Sequence, residues 1–220
     1  MFLFLLPYSP LQKRLAFKNC DKSRFSLEEF EPLARSIEKD FVKDGSLAPL
    51  YRRFGGPFWE SLELWVLPPG VVKYIEENSW VLTPLYGLLK PSACVPFAPV
   101  SWNSLYKGWK LIDFWKGHFK NFSERLFGGK HVVPFFGKTY MSLFDFSFAE
   151  SVLSFEFYRK DMRVKNPARH HAYVLRFMAE WKLTFSDLHR INFYDYRVEE
   201  VKKEGRNLLV VMRSEGRYEL

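Results

Sequence analysis

Tyr86 and Lys90 lie in a short segment, Leu85-Tyr86-Gly87-Leu88-Leu89-Lys90-Pro91, that follows the strand-like run Trp80-Val81-Leu82-Thr83. A cation and a phenol at a strand-to-loop junction can hold an anionic group, and such loops carry function more often than cores do. Gly87 can take backbone angles closed to other residues. Pro91 fixes its own φ and biases Lys90 towards an extended conformation. The loop therefore presents Lys90 and the Tyr86 hydroxyl in a defined place. A second set lies further on. Arg169, Tyr173 and Arg176 fall at i, i+4 and i+7, on one face of a helix. Lys160, Arg163 and Lys165 precede them in a loop. Two arginines around an aromatic can grip a phosphate and stack on a base or sugar. The competing reading is an exposed helix face with local ion pairs, such as Arg176 with Glu180.

Other candidates carry less. Arg52 and Arg53 beside Gly55-Gly56 could form an anion-binding turn of successive N–H groups. They lack the Walker spacing and its terminal Lys-Ser/Thr, so a plain loop competes. His170 and His171 are adjacent and point about 100° apart on a helix, so they cannot share a metal as an i, i+4 pair would. No cofactor or metal site is expected. His118 sits on an apolar helix face and reads as a core residue. Cys94 could be a redox-sensitive thiol if its pKa were lowered, or simply a buried one. No Ser/His/Asp order and no carboxylate pair stands out, which weighs against an enzyme. Asp113 and Glu124 fall on the polar side of a helix pattern.

The chain has 220 residues, a net charge of +8 and 19% aromatic residues. That is one domain, 1–220, able to bury a dense core without staples. Residues 1–83 balance eleven basic against eleven acidic side chains, whereas 84–149 carry eight against three. From Arg159 to Lys182 there are seven basic and two acidic residues. A basic region of this kind can contact phosphate, or it can be a solvated surface. The two cysteines, Cys20 and Cys94, are too few for a disulfide framework, and nothing in the sequence places them near one another. They predict a reducing, cytoplasmic setting. Met1 to Leu6 is apolar but runs into Pro7 with no basic flank, so it reads as a buried strand rather than a signal peptide. No run approaches the ~20 apolar residues of a membrane helix.

These groups must be positioned by intermixed strands and helices. Ser26-x-x-Glu29 reads as a capping box, followed by Phe30, Leu33, Ile37 and Phe41 at helical spacing up to Asp44-Gly45. Residues 46–57 read as a loop. Phe58 to Leu67 is short and amphipathic and is interrupted by Pro68-Pro69-Gly70, with a short helix over Val71 to Glu77. Lys110 to Leu126 is a helix with Leu111, Phe114, Trp115, His118, Phe122 and Leu126 on its apolar face. His131 to Phe136 is a strand and Lys138 to Phe144 a helix. Ser151 to Tyr158 alternates, with Leu153, Phe155 and Phe157 on one side. Pro167 starts a helix to about Leu183 that would pack Leu175, Met178 and Ala179 on the core. Thr184 to Arg190 is a second short helix. Strands near Tyr196–Val201 and Leu208–Arg213 form a closing hairpin. The pattern is α/β or α+β: a compact domain with a mixed sheet and surrounding helices.

The segment Leu85-Tyr86-Gly87-Leu88-Leu89-Lys90-Pro91 resembles the Leu-Tyr-Gly-x-Leu-Arg-Pro segment of the peroxide-stress YaaA family. Other short segments follow in that family's order. Phe2 to Pro7 is similar to its first strand, and Phe54, Gly56, Trp59 and Leu62 to its Phe-x-Gly-x-x-Tyr-x-x-Leu segment. Pro96-Phe97, Asp113-Phe114-Trp115, Phe157-Tyr158 and Arg176-Phe177 continue the series. Pro57, Ala98, Val100, Pro134, Gly137 and Thr139 stand where the family carries polar residues, as a divergent member on the same scaffold would show. The resemblance implies a non-enzymatic DNA-binding protein in protection against peroxide, with a helix-hairpin-helix-like element near the C-terminal third. In that reading Lys90, Lys160, Lys165, Arg169 and Arg176 contact phosphate across a basic cleft. Tyr86 and Tyr173 stack or hydrogen-bond, and duplex or distorted DNA is held with little sequence preference. The alternative is a small-ligand binder or enzyme whose pocket at the Tyr86–Pro91 loop is lined by Trp59, Tyr86 and Cys94, with Lys90 holding an anionic group.

Overall fold

The strand β1 (Phe2–Leu6) is no more than 3 % exposed at any residue. A strand with no solvent on either face must sit inside a sheet covered on both sides, and its continuous apolar run is the mark of one. The structure, a computed structural model, describes residues 1–20, 27–218 and 220. After β1 come α1 (Glu31–Phe41), β2 (Asp44–Pro49), α2 (Leu50–Arg53), α3 (Pro57–Leu62), α4 (Pro69–Asn78), β3 (Ser79–Thr83), β4 (Gly87–Leu89) and β5 (Cys94–Phe97). A two-residue hairpin pair, β6 (Leu105–Tyr106) and β7 (Trp109–Lys110), leads into α5 (Leu111–Phe127), β8 (His131–Pro134) and α6 (Lys138–Met141). The last third holds β9 (Ser151–Arg159), β10 (Met162–Arg163), α7 (Ala168–Glu180), β11 (Asn192–Phe193), β12 (Tyr196–Glu204) and β13 (Asn207–Ser214).

Nine strands make one mixed sheet in the order β11-β12-β13-β9-β8-β1-β3-β4, with β10 paired to β9. The five inner strands, β3, β1, β8, β9 and β13, run parallel. β4 and β12 add to the two sides antiparallel, and β11 pairs antiparallel with β12 as the terminal strand. The chain is thus α/β. β1 lies between β3 and β8, so the chain first builds to one side of β1 and then to the other. Because the inner strands are parallel, the sheet has an amino edge and a carboxyl edge, and ligands of open α/β sheets favour the latter. Phe4 and Phe135 stack on each other and meet Tyr74 of α4, Phe58 of α3 and His171 of α7. Phe30, just before α1, meets Trp115, Phe119 and Phe122 of α5 in a separate aromatic layer.

Most expected elements are present, with shifted bounds. The Ser26-x-x-Glu29 box falls partly outside the described residues. Residues 46–57 are not a loop: β2 pairs antiparallel with β5, and α2 follows. Pro69 opens α4 rather than interrupting a helix, because a first-turn proline gives up no intrahelical hydrogen bond. In α5 the buried positions are Leu111, Trp115, Phe119, Ser123, Leu126 and Phe127. His118 is only half-buried, against Phe114 and Trp115, because the buried stripe turns towards Phe119 and Ser123.

The Tyr86-Gly87 turn is a packing device. Gly87 has φ +69, and a Cβ there would lie 3.0 Å from Trp115 and 3.1 Å from Phe30. The Trp115 indole N–H donates to the Pro84 carbonyl at 2.8 Å, and the Thr83 hydroxyl accepts from the Tyr86 N–H at 3.1 Å. Gly87→Ala combines a left-handed backbone with a clash between rings. It should lower the unfolding free energy by about 2–4 kcal/mol, read by denaturant titration.

The expectation that the two cysteines are unrelated is overturned. Cys20 and Cys94 form a disulfide with Cα atoms 5.6 Å apart, closing a 74-residue separation. Their distance in sequence concealed the contact, because only the pairing of β2 with β5 and the path of the N-terminal segment bring them together. Phe17 N–H donates to the Leu47 carbonyl and Lys13 N–H to the Arg53 carbonyl along that path. Among the described residues no free cysteine remains, so Cys94 is no reactive thiol. The ground for expecting a reducing setting goes with it, since disulfides persist in oxidising compartments. Reduction, or the Cys20→Ser/Cys94→Ser variant, should cost about 2–4 kcal/mol of stability by denaturant unfolding with and without a dithiol.

Candidate nucleic-acid interface

α7 carries the second set of residues and places them through its packing. His170, Ala172, Val174, Leu175, Met178 and Ala179 are buried, as the sequence predicts for the last three of these. Arg169, Tyr173 and Arg176 are left on the outer side as one stripe. The helix ends where Lys182 takes φ +45 and Leu183 N–H donates back to the Met178 carbonyl, with Leu183 buried. That is a left-handed helix stop made by a residue other than glycine. Thr184 then caps a six-residue 3-10 helix, Phe185–Arg190: its hydroxyl meets the Asp187 carboxylate at 2.6 Å and its N–H donates to the same carboxylate at 3.0 Å. The second helical piece expected at Thr184 to Arg190 is therefore a 3-10 helix.

Between the outer side of α7 and the terminal strand β11 runs an open groove of two joined hollows. One, of ≈ 470 Å³, is lined by Glu63, Tyr173, Arg176, Trp181 and Tyr194 among others. The other, of ≈ 650 Å³, is lined by His189, Arg190, Ile191, Arg197 and Val198. Phe177, Trp181 and Asn192 belong to both. Trp181 is 57% and Tyr194 56% exposed. Tyr194 occupies the two-residue turn between β11 and β12 with φ +52. A bulky residue there is strained by about 1–2 kcal/mol. It is braced by its hydroxyl, which donates to the Tyr173 hydroxyl at 3.3 Å, and by edge-on contact between the two rings.

Arg176, Arg190 and Arg197 line this groove, the first two engaged. Arg176 donates to the Ser61 carbonyl at 3.1 Å and pairs with Glu63 at 3.3 Å, not with Glu180. Arg190 pairs with Asp187 at 3.2 Å. Lys160, Lys165, Arg169, Lys182 and Arg197 are exposed, and among the described residues no hydrogen bond or ion pair engages their side chains. Lys160 sits in the turn between β9 and β10, at the carboxyl edge, from which α7 starts back across the sheet.

Lys90 does not join them. Its ammonium donates to the carbonyls of Glu77 and Ser79, both at 3.0 Å, and lies 4.0 Å from the Trp80 ring centre. Ser79 starts β3, so Lys90 is at the amino edge while Lys160 and Arg169 are at the carboxyl edge. Burial lowers the Lys90 pKa to about 8. The cation is used to close the C-terminal end of α4. Arg53 is likewise internal: fully buried, it donates to the carbonyls of Lys13, Ser46 and Val95 at 2.6, 2.7 and 3.3 Å. Arg52 lies over the Trp65 ring. Neither Arg52 nor Arg53 is therefore left to serve an anion at the Gly55-Gly56 turn.

The pocket residues are dispersed by the same packing. Tyr86 is buried and its hydroxyl donates to Glu38 at 2.9 Å, and burial raises its pKa well above the usual range. Trp59 is buried with its N–H on the Pro7 carbonyl at 3.1 Å. Cys94 is in the disulfide. A hollow at the carboxyl edge does touch Tyr86, together with Tyr8, Gln12, Thr83 and Val95, but its volume is ≈ 10 Å³, room for about one water. Burial pushes the Tyr8 phenol up to about 12. Among the described residues no group of three or more His, Cys, Asp or Glu could hold a metal, and no helix is long and apolar enough to cross a membrane.

Trp181, Tyr194, Arg190 and Arg197 escape sequence reasoning. Trp181 sits at the end of a helical period, where burial and exposure look alike. Tyr194 occupies a turn position that usually belongs to glycine or asparagine, and that mismatch is the one signal it leaves.

The two adjacent histidines of α7 serve the core. His170 packs on Phe157, Phe193 and Tyr196, and among the described residues neither ring nitrogen has a hydrogen-bond partner. His171 packs on Phe135 and Phe157. Burial lowers both pKa values to about 4, with Arg169 adding to the effect at His170 and His170 at His171. Burial also lowers His131. Each folded pKa lies below the unfolded ~6.5, so the unfolded chain binds more protons in between. Stability should be full above pH 6.5 and fall as the pH drops towards 4. Thermal melts across that range should show the loss, and His170→Phe, which keeps an apolar ring and removes one titrating group, should lessen it.

No protein-family model matches the chain, and no curated protein is significantly similar to it.

Proposed function

We propose that this chain is a DNA-binding protein that holds the phosphate backbone along the outer side of α7. The carrying observation is the single stripe of Arg169, Tyr173 and Arg176 that leads into an open groove bordered by Arg190 and Arg197. The exposed cations Lys160, Lys165, Arg169, Lys182 and Arg197 can each meet a phosphate without first breaking an ion pair. Glu63 and Glu180 also line the groove, so binding would rest on these unpaired cations rather than on Arg176. The ordered motifs that resemble the YaaA family support the same reading and extend it to protection against peroxide. A small ligand beside Tyr86 is the weaker reading, because the hollow there would have to open before anything larger than water entered.

Phosphate contacts release counterions, so affinity should fall steeply with salt and depend little on sequence. Fluorescence-anisotropy titration of labelled DNA at several salt concentrations measures this. Arg169→Ala/Arg197→Ala should weaken binding at every salt and flatten the log–log salt slope by about 1.5–2, for two lost phosphate contacts. Absence of binding at low salt, or binding that ignores both salt and the double substitution, would overturn the reading.

A further inference from the structure

The groove carries more aromatic surface than backbone contact requires. Tyr173, Phe177 and Trp181 recur every four residues, so they form rungs about 6 Å apart along α7. Stacked bases in a duplex rise only 3.4 Å per step, and their faces are covered by their neighbours. Rungs at nearly twice that spacing match bases drawn apart on an extended strand. Across from the rungs, the turn between β11 and β12 holds Tyr194 in its strained, exposed position against Tyr173. The Arg176 guanidinium lies 5.9 Å from the Tyr173 ring centre and adds a second flat, stackable group. The two hollows, ≈ 470 and ≈ 650 Å³, meet at Phe177 and Trp181 and lie in the size range of sites for small organic groups.

We infer, resting on the DNA reading above, that the groove takes single-stranded DNA, with unpaired bases stacked on Trp181 and Tyr194 and the backbone on Arg169, Lys182 and Arg197. Aromatic faces accept any base, so the groove would select unpaired structure rather than sequence. The occupant is fixed by complementarity: the exposed rings of Trp181 and Tyr194 for the bases and the unpaired Arg197 for a phosphate line one groove, with Lys182 next to Trp181 in sequence and Arg169 one helical turn before Tyr173 as further exposed cations. Binding needs no base-edge contact.

The test compares a labelled twelve-nucleotide oligothymidylate with a labelled duplex of the same length, by anisotropy at fixed low salt. The variants are Trp181→Ala and Tyr194→Asn, singly and together. Both positions are exposed, and asparagine tolerates the left-handed conformation of residue 194, so thermal melts should match the unaltered protein. The expected result is tighter binding of the single strand, with each substitution weakening it about tenfold and changing duplex binding by less than about twofold. Equal binding of both forms, unaffected by the substitutions, would overturn the stacking inference and leave the phosphate reading standing. Binding of neither form would overturn both. Tighter duplex binding that the substitutions weaken equally would assign the rings to the duplex and overturn the single-strand inference.

Discussion

Everything in this molecule is arranged around β1, five residues with no water on either face. Such a strand has all its backbone groups in hydrogen bonds to neighbours, and its side chains must be covered above and below. The sheet therefore grows on both sides, through β3 in one direction and β8 in the other. That reversal sets the parallel inner sheet and gives it two unlike edges. It also demands helices on both faces, which is why so much of the aromatic content is consumed in ring contacts between helix and sheet.

α7 meets this demand at one place only. Its buried side, from His170 to Ala179, is spent on the sheet and α3. Its outer side is left to face the terminal strand β11, and the groove is the space between them. An amphipathic helix beside a sheet always leaves a polar stripe. What distinguishes this one is that aromatic rings share the stripe with cations and that Tyr194 is held there against its backbone preference. Strain of that kind persists where surrounding contacts over-determine it, and it is frequent at functional sites.

The polar residues that did not become a site show a second constraint. Arg53, Lys90 and Tyr86 stand near turns, where function is usually sought. Each instead satisfies groups that packing has cut off from water: three carbonyls for Arg53, two for Lys90, the Glu38 carboxylate for Tyr86. Buried carbonyls without partners are costly, and a long cationic side chain is an efficient way to serve several at once. Seen in sequence, a cation serving carbonyls and a cation awaiting a ligand are identical.

Local pattern was legible from the residues alone. β1, α5, β9, α7 and the β12–β13 hairpin follow from apolar spacing, because a period of two or of 3.6 is a property of neighbouring positions. So was the stripe of Arg169, Tyr173 and Arg176, since three residues on one helix share a face whatever surrounds it. The bridge between Cys20 and Cys94 was decided by tertiary structure, as were the placing of Lys90 and Arg169 at opposite edges of the sheet and of Trp181 and Tyr194 on one hollow. Each depends on strand order and on which side of the sheet a connection crosses. Those choices are made by the packing of distant segments, and no local period encodes them.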